Sequence, residues 1–129
     1  MIKDGVIVDT SVLIAFFRGK EKIADKVSTL LQDNRLMTTG LIIAELLQGM
    51  KDVKEEKHIS DILAETSPLE ITTDLWIKAG KVALSLRKKG INLPLTDVAI
   101  AALAIEHNLQ IFTLDKHFEQ IPGVKVYKG

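Results

Sequence analysis

Cysteine is missing from all 129 residues. That absence excludes disulfides, thiolate metal sites and cysteine nucleophiles together, and it suits a reducing cytoplasm. An excess of either charge is missing as well, since 17 basic residues balance 17 acidic ones. Proteins that hold nucleic acid by bulk electrostatics carry a basic surplus. Here any such contact needs a local patch, or metal ions that reverse the sign of an acidic site. No apolar run is long enough to span a bilayer. The most apolar early stretch, Val6 to Phe17, is broken by Asp9-Thr10-Ser11, and Met1 to Asp9 lacks the basic start and continuous apolar segment of a leader. The expectation is a soluble, cytoplasmic protein with no membrane partner. Repeats, low-complexity tracts and Pro/Gly/Ser linkers are also wanting.

What is present is material for a core. Apolar residues make up 47% of the chain, and a domain of this length buries roughly two-thirds of the surface its unfolded chain exposes. One domain spanning 1–129 is expected. Short apolar runs alternate with longer helical patterns, the signature of a parallel α/β sheet. Gly5 to Asp9 reads as a buried strand because Val6, Ile7 and Val8 run together without alternation. Thr10 and Ser11 are placed to cap a helix from Val12 to Arg18, with Gly19 as its stop. Further helices are expected over Ile23–Asp33, Leu41–Met50, Val53–Glu65, Asp74–Lys89 and Thr96–His107, with a short one over Lys116–Gln120. Strands are expected at Leu36–Thr38, Leu69–Ile71, Gln110–Thr113 and Val124–Val126. In the long helix before Gly90, the apolar stripe runs through Trp76, Ala79, Val82, Ala83 and Leu86. The segment Val98 to Ile105 is apolar all round and should be deeply buried. The fold class is a three-layer α/β/α domain with a mainly parallel sheet.

Ligands of such sheets bind at the carboxyl ends of the strands, so the polar residues just after each strand matter most. Asp9 ends the first strand, Asp115 follows the Gln110–Thr113 strand, and Asp97 opens the most apolar helix. Each has a structural alternative: Asp9 as a helix cap, Asp97 as dipole decoration, Asp115 as a turn residue. Converging carboxylates do not all stay ionised without a counter-charge, and an oxygen-only site suits Mg²⁺ or Mn²⁺. Periodicity does not single out Glu45. On a helical wheel Ile42, Ile43, Leu46, Leu47 and Met50 form the core face, and Glu45 points away from it.

Four segments nevertheless resemble one family in order and spacing. Val6-Ile7-Val8-Asp9-Thr10-Ser11-Val12-Leu13-Ile14 looks like the opening of PIN domains. Ile43-Ala44-Glu45-Leu46-Leu47-Gln48-Gly49 resembles their second motif, Leu95-Thr96-Asp97-Val98-Ala99-Ile100-Ala101-Ala102 the third, and Ile111-Phe112-Thr113-Leu114-Asp115 the fourth. The resemblance covers nearly the whole chain and, at this length, is nearest to the VapC toxins of toxin–antitoxin pairs. It implies an endoribonuclease dependent on Mg²⁺ or Mn²⁺, a homodimer, an RNA substrate and a small VapB-type antitoxin. It also implies that Asp9, Glu45, Asp97 and Asp115 are the metal-site acids. Thr10, Ser11 and Thr113 would orient them or contact the scissile phosphate.

A metal-activated water in such a site leaves 5′-phosphate and 3′-hydroxyl ends. The histidines His58, His107 and His117 are expected at the surface, unpaired with the acids. Two cationic groups, Lys51/Lys54/Lys57 and Arg87-Lys88-Lys89, are candidates for the RNA backbone, with plain solvated charge as the alternative. Trp76 and Phe16 are read as core or dimer contacts. Two other α/β classes place acids at strand ends. A phospho-accepting receiver wants an acidic pair after the first strand, and an aspartate-nucleophile phosphatase wants Asp-x-Asp; the chain has Asp9-Thr10-Ser11. A PIN-like module that binds without cutting is the remaining alternative.

Overall fold

The computed structural model describes residues 4–129, so Met1 to Lys3, the first residues of the segment read as unlike a leader, lie outside the described residues. Among the described residues the strands are β1 (Val6–Val8), β2 (Leu36–Met37), β3 (Gln110–Phe112) and β4 (Lys125–Val126). They form one sheet in the order β2-β1-β3-β4, and every pairing is parallel. The helices are α1 (Thr10–Phe17), α2 (Glu21–Gln32), α3 (Gly40–Gln48), α4 (Val53–Ala64), α5 (Thr73–Lys88) and α6 (Leu95–Glu106), with a 3₁₀ helix at Lys116–Gln120.

Crossovers between parallel strands are right-handed. The route from β1 to β2 and the return from β2 to β3 run in opposite directions across the sheet. They therefore lie on opposite faces, which yields the three-layer α/β/α arrangement. Val6, Ile7 and Val8 are fully buried, as a central strand covered on both faces requires. Strand order reverses at β1, so the crevice beyond the carboxyl ends of β1 and β3 is the topological switch point where such sheets bind ligands.

Four helices stop the same way. Gly19, Asn34, Gly90 and Asn108 adopt left-handed backbone just past α1, α2, α5 and α6. Lys20, Arg35, Ile91 and Leu109 then donate back to Ala15, Leu30, Leu86 and Ala104, closing the helix ends. Glycine does this without a Cβ penalty and asparagine at little cost.

Three expectations change. Leu69–Ile71 is no strand. Leu69 donates 2.8 Å to the Thr38 carbonyl and makes a single bridge with Thr39, and the chain then turns into α5. The buried stripe of α5 is Leu75, Ala79 and Leu86, with Val82 and Ala83 half-buried. Trp76 is 41% exposed, because Leu75, in helical phase with Ala79 and Leu86, occupies the inner position. Helix α1 likewise begins at Thr10 with Asp9 as its flanking residue, so Thr10 and Ser11 sit inside the first turn and cap nothing.

Candidate active site at the strand ends

Register brings the first two pieces together. Val8 pairs with Phe112, and the Asp9 amide donates 2.9 Å to the Phe112 carbonyl. The next residues of the two strands, Asp9 and Thr113, therefore stand side by side. Thr113 Oγ1 donates to Asp9 Oδ2 at 3.0 Å and Ser11 Oγ donates to the same oxygen at 2.8 Å. Each hydroxyl also accepts a backbone N–H from the loop after β3: Leu114 to Ser11 at 3.1 Å and Asp115 to Thr113 at 3.0 Å. A hydroxyl has one proton to give, so both are committed. In this arrangement both hold the Asp9 carboxylate.

Asp9 is 4% exposed, yet its side chain caps no helix N–H. The helix-cap reading of this residue falls. Asp115 likewise makes no side-chain cap to the 3₁₀ helix that follows it. It is exposed, tied to the site through its backbone amide.

Helices that run antiparallel to the strands begin or end at this same edge. Asp97 lies in the first turn of α6, a helix whose Val98, Ala99, Ile100, Ala101, Leu103 and Ala104 are all buried. The small residues let α6 lie close against the sheet and α5, and this places Asp97 over the strand ends. Glu45 lies in the second turn of α3 and accepts 3.0 Å from Thr10 Oγ1.

The wheel reading of α3 is corrected here. Ile42 and Leu46 are buried while Leu47 and Met50 are more than a third exposed. The inward face is thus rotated toward Glu45, which is half-buried.

Burial and neighbouring charge act together on the acids of this cluster. Burial pushes the Asp97 carboxyl above its ordinary value of 3.8, the neighbouring charge of Asp9 and then of Asp115 adds to the rise, and His117 opposes it. Glu45 is raised above 4.5 by burial, opposed by the Thr10 hydroxyl, with Asp9 and Asp97 adding repulsion. Both shifts have the sign of buried carboxylates, with like charge nearby adding to the effect. Among the described residues no three such groups close around a single point. The acids form an open cluster rather than a cage.

The donor set is all carboxylate, with one oxygen each of Asp9 and Glu45 engaged and the other without a hydrogen bond. Free, negatively charged oxygens without sulfur or imidazole in the set fit a hard divalent cation.

Comparison with known proteins agrees with this architecture. The PIN domain model matches residues 6–124. The chain belongs to the PIN-domain family. Ribonuclease VapC of Rickettsia bellii is 32% identical over 133 aligned positions, covering 95% of this chain and 94% of that protein. Ribonuclease VapC10 of Mycobacterium tuberculosis is 30% identical, covering 93% and 90%. Among solved structures, a chain of the DNA-bound VapBC from Salmonella typhimurium shares the fold with a TM-score of 0.83 at 22% identity, covering 97% of this chain and 98% of its own.

One residue of this PIN domain escaped the sequence reading. His117 Nε2 lies 2.6 Å from Asp97 Oδ2, the side chains being 28% and 15% exposed. The expectation that no histidine meets the acids fails for His117, because the 3₁₀ helix folds back over the start of α6. His107 and His58 are exposed as expected, the latter stacked on Phe17 with ring centres 6.3 Å apart. Lys51, Lys54, Lys57, Arg87, Lys88 and Lys89 are all exposed.

Proposed function

We propose that this PIN domain is a divalent-metal-dependent endoribonuclease, the toxin of a VapBC-type toxin–antitoxin pair, with residues 1–129 forming its single nuclease domain. The observation that supports the reading is the buried Asp9 carboxylate at the β1/β3 switch point, with Glu45 and Asp97 near enough to feel its charge and Asp115 on the loop beside them. Kinship with proteins named Ribonuclease VapC supports the reaction and substrate class. Resemblance to VapBC complexes supports a VapB-type antitoxin as partner. A homodimer and a cytoplasmic location belong to the same reading. No helix among the described residues is long and apolar enough to cross a membrane.

In this reading Asp9 and Asp97 are the principal ligands of Mg²⁺ or Mn²⁺, Glu45 is a ligand or a base acting through water, and Asp115 completes the set. When bound, the ion would lower the pKa of a water and stabilise charge on the leaving oxygen. The protein's own part is positional. Ser11 and Thr113 fix the Asp9 carboxylate, Thr10 fixes Glu45, and the β1/β2 pairing that leads into α3 brings the two elements side by side. Preorganisation of this kind spares the site reorganisation as charge develops.

The test is cleavage of labelled single-stranded and structured RNAs with Mg²⁺, with Mn²⁺ and with EDTA, beside an Asp9→Asn/Asp97→Asn double variant. The expected result is metal-dependent cutting by the wild type alone, leaving 5′-phosphate and 3′-hydroxyl ends. Products ending in 2′,3′-cyclic phosphate would refute the mechanism.

A further inference from the structure

The site acids are held by a common rule. Asp9 has its Oδ2 engaged by Ser11 and Thr113, and Glu45 has its Oε1 engaged by Thr10. In each case one oxygen is anchored to the protein and the other has no hydrogen-bond partner among the described residues. Asp97 has no hydroxyl neighbour of this kind. Its Oδ2 meets His117 Nε2 instead, at 2.6 Å.

His117 is also singular electrostatically. Among the described residues it is the one basic side chain within ion-pair distance of any of the four acids; the other ion pair, Lys78 with Glu106, belongs to α5 and α6 away from the cluster. Its backbone is well anchored. The next residue, Phe118, is fully buried, and the two rings lean together with centres 5.2 Å apart. The contact sets Asp97 Oδ2 against a buried imidazole nitrogen that has no other partner among the described residues.

We infer that His117 is a positioning residue for the Asp97 carboxylate: it anchors Oδ2, leaves Oδ1 for the cation, and does for the third acid what the hydroxyls do for the other two. In this assignment it acts through Asp97 rather than on substrate or metal. Groups that hold a ligating carboxylate from behind typically change metal affinity by about 10- to 100-fold when removed. The inference rests on the metal-site reading above, and the experiment separates the two.

Binding of Mn²⁺ to the whole, RNA-free protein is measured by electron paramagnetic resonance for wild type, His117→Ala and His117→Gln, with His107→Ala as a remote control. The glutamine amide reaches about as far as Nε2 and donates a proton, so it should restore what alanine loses. The expected outcome is wild-type and His107→Ala binding alike, His117→Ala weaker by about tenfold or more, and His117→Gln close to wild type. In RNA cleavage at saturating Mn²⁺ the alanine variant should recover most of its rate, with KM for RNA unchanged.

Unaltered Mn²⁺ affinity in His117→Ala, with wild type binding normally, overturns the role of His117 and leaves the acid site standing. Equal weakening in the alanine and glutamine variants also overturns it. Absence of Mn²⁺ binding by the wild type overturns the metal-site reading and this inference with it. Should His117→Ala fail to fold, His117→Asn, too short to reach Asp97, takes its place.

Discussion

Asp9 and Asp115 lie at the ends of adjacent strands and are held in opposite ways. Asp9 is buried at 4% exposure and receives two hydroxyl protons on one oxygen. Asp115 is exposed and is tied to the site only by its backbone amide, donated to Thr113. The difference teaches what positions a carboxylate: strand register and committed hydroxyls, not membership of a motif. Asp9 is fixed before any ligand arrives, whereas Asp115 can adjust to one. The contribution of each should scale accordingly.

The sharpest way to break this contrast is to neutralise each acid in turn. Asp9→Asn should lower the rate of RNA cleavage by on the order of 10³-fold, about 4 kcal/mol of barrier, whereas Asp115→Asn should cost about tenfold. Equal losses would erase the distinction. Removing the anchors should have a smaller effect. Thr113→Val leaves Asp9 with one hydroxyl and frees the Asp115 amide, so cleavage and Mn²⁺ affinity should fall by about 10- to 100-fold. Thr113→Ser should restore most of the loss.

A third effect concerns stability without metal. Asp97 and Glu45 have raised carboxyl pKa values in the folded protein, so the folded state binds protons more tightly than the unfolded one. By linkage, these two groups make the metal-free protein more stable as pH falls from neutrality through the raised values toward 4.5 and 3.8. The gain is complete below those ordinary values and is lost as pH rises. Asp97→Asn should therefore raise the metal-free melting temperature at pH 7 by a few degrees, roughly 1 kcal/mol. Saturating Mn²⁺ should stabilise the wild type more than this variant. Calorimetry across pH, with and without the ion, reads both.

A last contrast, on stability alone, sets two neighbours on α5 side by side. Leu75→Ala empties a buried position and should cost about 2–5 kcal/mol in denaturant melts. Trp76→Ala should cost under about 1 kcal/mol, since its ring is 41% exposed. A larger loss at Trp76 in dilute protein would return that residue to the core.

The contrast also explains what was legible in the amino-acid sequence. Asp9 and Asp97 could be read because each sits where apolar pattern makes a charge conspicuous: at the end of a β-branched run and at the head of an apolar helix. Glu45 was found through motif resemblance alone. Its helix is apolar on more than one side, so the wheel turned the wrong face inward and placed Leu47 and Met50 where the protein has Glu45. His117 left no signal. It stands 20 positions from Asp97 in a short polar segment, and only the fold of the 3₁₀ helix, pinned by Phe118, brings the two within 2.6 Å. The missing strand at Leu69–Ile71 failed for a related reason: β-branched and apolar residues suit a strand, but only Leu69 finds a backbone partner beside Thr38 and Thr39. Local pattern locates buried segments well. It does not report contacts made across the fold by polar residues.

The central claim is that the free oxygens of Asp9 and Asp97 share a divalent cation. Crystals grown with Mn²⁺ and measured at its absorption edge test it most directly. The account predicts an anomalous peak within ligand distance of Asp9 and Asp97, with Ser11 and Thr113 still donating to Asp9 Oδ2. Mn²⁺-dependent cleavage by a protein whose only ordered Mn²⁺ lies elsewhere would contradict it.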